Sequence, residues 1–382
     1  MDLCVAQADL ARALRLVARA VPARPATPAL GHVLLDATPG RLTLTATDLA
    51  LGLLAAIAAD VARPGRATLP AGLLGDYAAH LPAGPVRLTG EPGRGRIRVQ
   101  DGRAAAGFAA PDMATAVALD AAALGSALAR VVPAAARDET RPILAAVRFA
   151  LDAAGLTLAA TDGVRLARAR VPGPSVAPRD LLVPARAAAE MARLAGEAAT
   201  ARLVAPPGDR GLWLVAGAVG LCTRLVDGRY PDLAGLVPAT WRTRVTVAGA
   251  ALRGALRRAD LFGREGAGAR PVVLSAAAGR LRLGARDETL GETQSELAAE
   301  LEGAPGLVAL DTRLLVDLLA AARAERLALS WAGQADAVVV REVGAARPAD
   351  DPAADDLWLV MPLREPDLLR RQADADTAAE AA

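Results

Sequence analysis

The side chains that could carry out catalysis are few and widely spaced. Asp48, Asp162 and Asp232 are candidate acid–base groups or metal ligands, because carboxylates can move protons or bind cations. They belong to separate repeats or turns of the sequence, where an aspartate more commonly accepts hydrogen bonds from the nearby backbone. An enzyme that uses these carboxylates is therefore the less favoured alternative.

The other reactive residue types are too sparse for common catalytic or metal sites. The only cysteines, Cys4 and Cys222, each lie in an apolar run, and the only histidines are His32 and His80. This spacing excludes a Cys/His zinc site and leaves no recognisable Ser/His/Asp triad. All 44 basic residues are arginine, so the lysine of a nucleotide-binding P-loop is absent. We expect no catalytic residue, no metal and no cofactor.

The composition is typical of a globular protein without a membrane span. The 382 residues are enough for two or three domains. No apolar run reaches the roughly 18 residues that a spanning helix needs, and the N-terminal sequence has no signal-peptide pattern. We expect a cytoplasmic protein without a membrane partner. A net charge of +2 means that any binding to phosphates depends on where the arginines lie.

The same order of elements occurs three times along the sequence. Each third opens with a strand and an Ala/Leu/Arg-rich helix, continues with two strands around a glycine turn, and ends with a second helix and a hairpin. An aspartate recurs at intervals of about 120 residues, the size of one domain. These aspartates are Asp48, Asp162 and Asp287. The pattern predicts an α+β fold of three β-rich copies with two helices each.

Composition and repeat spacing also predict the limits of the domains. The three copies are expected over residues 1–116, 117–242 and 243–364. Residues 365–382 are acidic and rich in alanine, and we expect them to form a disordered tail.

Arginines follow one face of the first predicted helix. Arg12, Arg15 and Arg19 lie opposite its apolar residues, and a basic face without acidic partners suits contact with phosphates. An ordinary solvated face is the alternative. Arginines also recur at or near helical spacing in the other repeats, as Arg130 and Arg137, Arg186 and Arg193, and Arg253 and Arg257.

Four ordered motifs resemble the bacterial DNA polymerase III beta subunit, the beta sliding clamp, over residues 1–364. They are RPATPALGHVLL with TATDLALGL in the first third, RPILAAVRFAL…LTLAATDGVRLA (Arg141–Ala167), TRLVDGRYPDLAGLVP (Thr223–Pro238) and LVMPLR (Leu359–Arg364). The resemblance implies three tandem clamp domains that form half of a ring. A head-to-tail homodimer would close the ring around duplex DNA and tether the replicative polymerase, with no catalysis and no reading of base sequence.

The resemblance also implies a pocket at the junction of the second and third domains. Its peptide ligands would come from the polymerase III alpha-type subunit, the clamp loader and repair proteins. The matching pocket residues are Leu144, Thr161, Gly163, Arg165, Leu166, Pro231, Leu236, Leu359, Val360, Met361, Pro362, Leu363 and Arg364. Several of these residue types are equally typical of strand cores, turns and strand ends.

Motif matching assigns further positions to DNA and to the contact between subunits. The DNA-contact candidates are Arg24, Arg137, Arg141 and Arg186. A solvated or ion-paired arginine is the alternative for each. The subunit-interface candidates are Ala106, Leu261 and Phe262. For Leu261 and Phe262 the alternative is a place in the core of their own domain.

Several positions depart from the family pattern. Val164 stands where histidine is common and Gly235 where a longer side chain is common, so peptide preference is expected to differ. Ala106 replaces a frequent aromatic residue, and a smaller apolar contact stabilises a ring less. The tail is an addition, and its Leu368 and Leu369 are candidates to fold back on the pocket. These departures favour a diverged paralogue of actinobacterial type. The alternative function is a partner-binding hub with weak ring closure or DNA loading.

Overall fold

The computed structural model describes residues 1–89, 113–138, 140–205, 211–262, 268–287, 290–344 and 356–364, together with Leu369. Ala106 lies outside these residues. The described helices are α1 (Gln7–Val17), α2 (Ala71–His80), α3 (Ala121–Val131), α4 (Ala185–Gly196), α5 (Gly249–Ala259) and α6 (Thr312–Leu319).

The described strands are β1 (Asp2–Ala6), β2 (His32–Thr38), β3 (Arg41–Thr47), β4 (Leu51–Ala58), β5 (Asp60–Arg63), β6 (Gly65–Pro70), β7 (Pro85–Thr89), β8 (Val117–Asp120), β9 (Ala146–Asp152), β10 (Gly155–Thr161), β11 (Arg165–Pro172), β12 (Arg179–Pro184), β13 (Thr200–Val204), β14 (Gly211–Ala216), β15 (Val219–Arg224), β16 (Thr243–Ala248), β17 (Pro271–Ala277), β18 (Arg280–Asp287), β19 (Gly291–Gly303), β20 (Gly306–Asp311), β21 (Arg326–Trp331), β22 (Val338–Val343) and β23 (Leu357–Val360).

The predicted repeat of two helices in a β-rich unit is confirmed. Strands β1, β8 and β16 lead directly into α1, α3 and α5, and strands β6, β12 and β20 lead into α2, α4 and α6. Helix α1 illustrates why the pattern is helical. Leu10, Leu14 and Val17 recur every three or four residues, and all three side chains are buried along one stripe of the helix.

Two arginines of the predicted basic face, Arg12 of α1 and Arg19 of the 3-10 turn that follows it, are paired with carboxylates. Arg12 pairs with Asp9 at 2.8 Å, and Arg19 pairs with Glu190 at 2.7 Å. The prediction of a face without acidic partners is therefore wrong. Asp9 lies one turn before Arg12, while folding brings Glu190 to Arg19 from the middle of the sequence.

The chain divides into two compact units. Unit 1 consists of residues Met1–Gly125 and Glu190–Leu225. Its described strands form an eight-stranded sheet with the order β6-β2-β3-β4-β15-β14-β13-β8 and a three-stranded sheet with the order β5-β1-β7. The antiparallel β4–β15 pair, with Leu51 opposite Thr223, joins strands from the first and second thirds of the sequence.

Unit 2 consists of residues Ser126–Ala189 and Val226–Ala382. The strands described in this unit form one twelve-stranded sheet with the order β12-β9-β10-β11-β23-β22-β21-β16-β19-β18-β17-β20. The β11–β23 pair joins strands of the second third to those of the last. Each unit thus combines strands from two thirds of the sequence, and the domain limits given above stay predictions.

A buried tryptophan fixes β23 in the sheet of unit 2. Trp358 is 2% exposed, and its indole Nε1 donates to the carbonyl oxygen of Arg130 at 3.2 Å. The Arg130 guanidinium lies 4.8 Å from the centroid of the Trp358 ring and pairs with Glu342 at 2.6 Å. Arg130, one of the helix arginines that pointed to phosphate binding, is therefore an internal link between α3 and the sheet.

The described residues contain neither a membrane-spanning helix nor a metal cluster. No helix among them is long and apolar enough to cross a membrane. No group of three or more His, Cys, Asp or Glu side chains in these ranges is placed to hold a metal ion.

Replacement of Gly155 by alanine should destabilise unit 2 strongly. Its φ is +123°, and an added Cβ would lie 2.4 Å from the Val171 oxygen and 2.6 Å from the Gly173 nitrogen. We expect the free energy of unfolding to fall by more than about 2 kcal/mol, because left-handed strain adds to a backbone clash. Urea unfolding followed by tryptophan fluorescence measures the loss.

Gly279→Ala is the matched control in the same unit. Gly279 has a φ of +75°, but its nearest atom, the Ala299 oxygen, would be 3.7 Å from the new Cβ. Only the backbone strain of about 1 kcal/mol is expected there. Equal losses in the two variants would contradict the clash at Gly155.

Candidate functional site

The turn between β10 and β11 is held by its own side chains. The Thr161 hydroxyl donates to the Arg165 oxygen at 2.6 Å and accepts from the Gly163 amide at 3.1 Å. Asp162 accepts from the amides of Val164 and Arg165 at 3.0 and 2.9 Å. Gly163 has a φ of +94°, a conformation that glycine adopts without steric cost. The network leaves Val164 46% exposed on a rigid support.

Unit 1 contains a second copy of this turn between β3 and β4. The Thr47 hydroxyl donates to the Leu51 oxygen at 2.9 Å, and Asp48 accepts from the amides of Ala50 and Leu51 at 2.9 and 2.7 Å. Asp48 and Asp162 are thus engaged by the backbone of their own turns. This arrangement matches the turn-capping alternative rather than an acid–base pair.

Strand β23 brings the C-terminal motif to the β10–β11 turn. Leu359 lies opposite Leu166 and Val360 opposite Arg165 in the antiparallel register. The Met361 amide then donates to the Val164 oxygen at 2.8 Å. Met361 is 42% exposed, so two apolar side chains that are distant in sequence project from one fixed backbone contact.

The segment Thr223–Pro238 is anchored by Tyr230. The Tyr230 hydroxyl accepts from the Thr161 amide at 3.0 Å and donates to the Ala146 oxygen at 3.4 Å. Tyr230 and Leu233 are buried in the same cluster as Leu166 and Leu359. The motif match assigned Pro231 and Leu236 to the pocket but not Tyr230. The anchor fixes the backbone from which Pro231 and Leu236 project.

The predicted pocket residues differ widely in exposure. The buried ones, which belong to the core of the strands and turn, are Thr161, Arg165, Leu166, Leu359 and Val360. The half-buried ones are Leu144, Pro362 and Leu363. The exposed ones are Gly163, Pro231, Leu236, Met361 and Arg364. Sequence reasoning named Val164 only as a departure from the family, yet it is among the most exposed apolar residues here. A Cβ added at Gly235 would meet no atom within 4 Å.

Arg165 is a buried cation that ties the turn to helix α6. Its side chain is 5% exposed and pairs with Asp162 at 2.9 Å and with Asp317 at 3.4 Å. Asp317 also pairs with the 82% exposed Arg137 at 2.9 Å. Two carboxylates offset the desolvation of Arg165, and Arg137 shares one of them.

Two cavities of unit 2 meet at Arg137. A charged cavity of about 620 Å³ is lined by Arg137, Arg141, Val164 and Arg165, among others. A mostly apolar cavity of about 920 Å³ is lined by Arg137 and Arg186, among others. Three of the four DNA-contact candidates are thereby brought together in unit 2. Arg24 is exposed in unit 1.

The described interface candidates follow helix α5. Leu261 is 50% exposed and Phe262 is half-buried. Their amides donate to the oxygens of Arg258 and Ala259 at 3.2 and 3.1 Å. The exposed side chain of Leu261 is available for contact with another molecule, whereas Phe262 is partly used within its own unit.

Family models match all three thirds of the chain. The DNA polymerase III beta subunit N-terminal domain matches residues 1–109, its central domain residues 118–232 and its C-terminal domain residues 235–350. The chain belongs to the DNA polymerase III beta subunit family. The predicted fold of three tandem clamp domains is confirmed by these matches and by the solved clamp structure below.

Members of this family are similar to the chain over nearly their full lengths. The Beta sliding clamp of Synechococcus elongatus is 31% identical over 380 residues, which cover 95% of this chain and 99% of the relative. The Beta sliding clamp of Synechocystis is 31% identical over 353 residues, 84% of this chain and 90% of the relative. The solved DNA polymerase sliding clamp from Bacillus subtilis has a TM-score of 0.86 at 21% identity, covering 96% of this chain and 99% of that one.

Burial should shift the ionisation of Tyr230 to a higher pH. Burial raises the pKa of Tyr230 to about 12, against the opposing hydrogen bond from Thr161. The neutral ring therefore stabilises the fold fully below about pH 10, where an unfolded tyrosine begins to ionise. That contribution is lost as the pH rises towards about 12.

Tyr230→Phe isolates this titration. Both proteins are titrated by their absorbance at 295 nm, and the curve of the variant is subtracted from that of the wild type. The difference, which reports Tyr230 alone, should have its midpoint near pH 12. The variant should also lose about 1–3 kcal/mol of stability at neutral pH, because the buried Thr161 amide loses its acceptor. If the absorbance rise lost in the variant were centred at pH 10 instead, this would contradict the burial of the Tyr230 hydroxyl.

Proposed function

We propose that this chain is a DNA sliding clamp. Two copies would close head-to-tail into a ring around duplex DNA, and the ring would tether the replicative polymerase without catalysing a reaction. The match to the beta subunit over all three thirds of the chain carries the proposal. The use of Asp48 and Asp162 as turn acceptors supports a protein that holds its partners rather than one that transforms a substrate.

The exposed apolar site around Met361 would dock short peptides. Its ligands would come from the alpha-type polymerase subunit, the clamp loader and repair proteins. Val164, Leu236 and Met361 are 46%, 49% and 42% exposed, and the 2.8 Å bond between Met361 and Val164 holds two of them in place before binding. A flexible methionine suits several related peptides. The open space at Gly235 supports an altered peptide preference.

Duplex DNA would be contacted through exposed arginines. Arg24, Arg141 and Arg186 are exposed, and Arg186 lies in the first turn of α4. With a net charge of only +2, attraction would be local to these side chains. Arginine–phosphate contacts carry no base information and weaken steeply with salt, as a sliding contact requires.

Ring closure would use strand edges and apolar residues from opposite units. The first part of β19, from Gly291 to Ala298, pairs with β18, and no second strand lies beside it among the described residues. In unit 1, β7 pairs with β1 alone within the same limits. Open edges can accept a strand from another chain. Leu261, 50% exposed at the end of α5, would add apolar contact.

A hub with weak ring closure or DNA loading is the second candidate. The ion pairs of Arg12, Arg19 and Arg137 favour it. An arginine already paired with a carboxylate gains less from a phosphate, because the existing pair must be broken or shared. Both candidates retain the peptide site.

Met361→Ala should weaken binding of a peptide from the alpha-type subunit about tenfold or more. Burying a methionine side chain contributes about 1.5–3 kcal/mol, and 1.4 kcal/mol corresponds to a factor of ten in affinity. Fluorescence anisotropy with a labelled peptide measures the change. Leu290→Ala, which truncates a 52% exposed side chain of the same unit, should bind as the wild type does. Unchanged binding by Met361→Ala would refute the assignment of the site.

Retention on nicked circular DNA distinguishes a closed ring from a hub with weak ring closure. After loading by the clamp loader, a closed ring should stay on the circle during gel filtration at high salt and be released when the circle is cut. Light scattering should give the mass of two chains, twice 38.9 kDa. A monomer at micromolar concentration, released equally from circular and linear DNA, would favour the hub.

A further inference from the structure

An apolar patch lies on one face of the β17–β20 pair. Val273 of β17 is directly opposite Ala309 of β20 in the register, so their side chains share a face of the sheet. Leu307, two residues before Ala309, points to the same face. These three residues and Leu363 form what we call the β20 patch. Such a patch needs an apolar cover in water.

The cover is a residue of the C-terminal extension. Leu369 is 7% exposed and forms a separate hydrophobic cluster with Val273 and Ala309, against which Leu307 and Leu363 pack. It is the only residue that the structure describes beyond Arg364. The occupant of the patch is thus a leucine of the chain itself.

The β20 patch is continuous with the candidate peptide site. The Met361 amide donates to the Val164 oxygen and the Leu363 amide to the Ala309 oxygen, each at 2.8 Å. The stretch from Met361 to Leu363 is therefore tied at one end to the β10–β11 turn and at the other to β20. Leu369 packs at the β20 end, in the cluster against which Leu363 lies.

We propose that Leu369 is a positioning residue for the peptide site. By filling the β20 patch it holds Leu363 against Ala309, and so restrains the backbone that presents Met361. Its effect on peptides rests on the function proposed above, whereas its hold on Leu363 does not. The tail contact is a part of the site's support, in a segment that sequence alone predicts to be disordered.

Amide exchange and peptide binding, measured on full-length variants, test the proposal. Leu369→Glu removes the apolar cover and introduces a charge that the patch cannot solvate. We expect deuterium uptake in a peptide covering residues 357–364 to speed up at least tenfold, and peptide affinity to fall about threefold. Leu369→Met keeps the volume and should restore both values. Leu290→Ala truncates an exposed leucine that is not part of the β20 patch and should change neither.

The outcomes separate the tail contact from the proposed function. Wild-type uptake in residues 357–364 of Leu369→Glu, with the helix content unchanged by circular dichroism, would overturn the contact. Faster uptake with unchanged peptide affinity would overturn the positioning role. Uptake that depends on protein concentration would overturn the intramolecular contact in favour of one between copies. If the wild type binds no peptide, the proposed function fails, and the positioning role falls with it.

Discussion

The insertion of β23 between β11 and β22 is the contact on which unit 2 depends. Four residues, Leu357–Val360, make one sheet out of strands from the second and last thirds of the sequence. A strand this short has few ladder bonds to offset the entropy of closing its long connections. Trp358 and Arg130 stabilise the strand further through a cation–π contact, an indole hydrogen bond and an ion pair between Arg130 and Glu342. Met361 is the residue directly after β23, so the position of this strand also sets the position of the candidate site.

The repeated Thr-Asp turns provide the same scaffold in both units, but a different side chain meets each. In unit 2 the Met361 amide donates to the Val164 oxygen, and in unit 1 the Arg224 amide donates to the Ala50 oxygen at 3.0 Å. Equivalent backbone contacts therefore present an exposed thioether in one place and an exposed guanidinium in the other. The proposed apolar docking site therefore lies at the second turn, where this backbone contact brings Met361 beside Val164.

Arginine occupies two opposite settings in a chain without lysine. Arg130 and Arg165 are largely buried and hold structure through carboxylates, since a planar fork can satisfy several partners at once. Arg24, Arg141 and Arg186 remain exposed and are the residues on which DNA contact would depend. Helical spacing of arginines along the sequence does not distinguish the two groups, because acceptors such as Glu342 are remote in sequence from the arginines they hold.

Local pattern determined much of this protein. Apolar spacing predicted two helices in each third, Gly and Asp placed the turns, and ordered motifs indicated the family, because these signals span only a few neighbouring residues. Tertiary structure alone decided the β4–β15 and β11–β23 pairs, the partners of Arg19 and Arg130, and the hold of Tyr230 on Thr161. It also decided which predicted pocket residues are core and which are surface. Such contacts join residues between 69 and 228 positions apart. No local periodicity records which of many compatible strand edges and charges will meet.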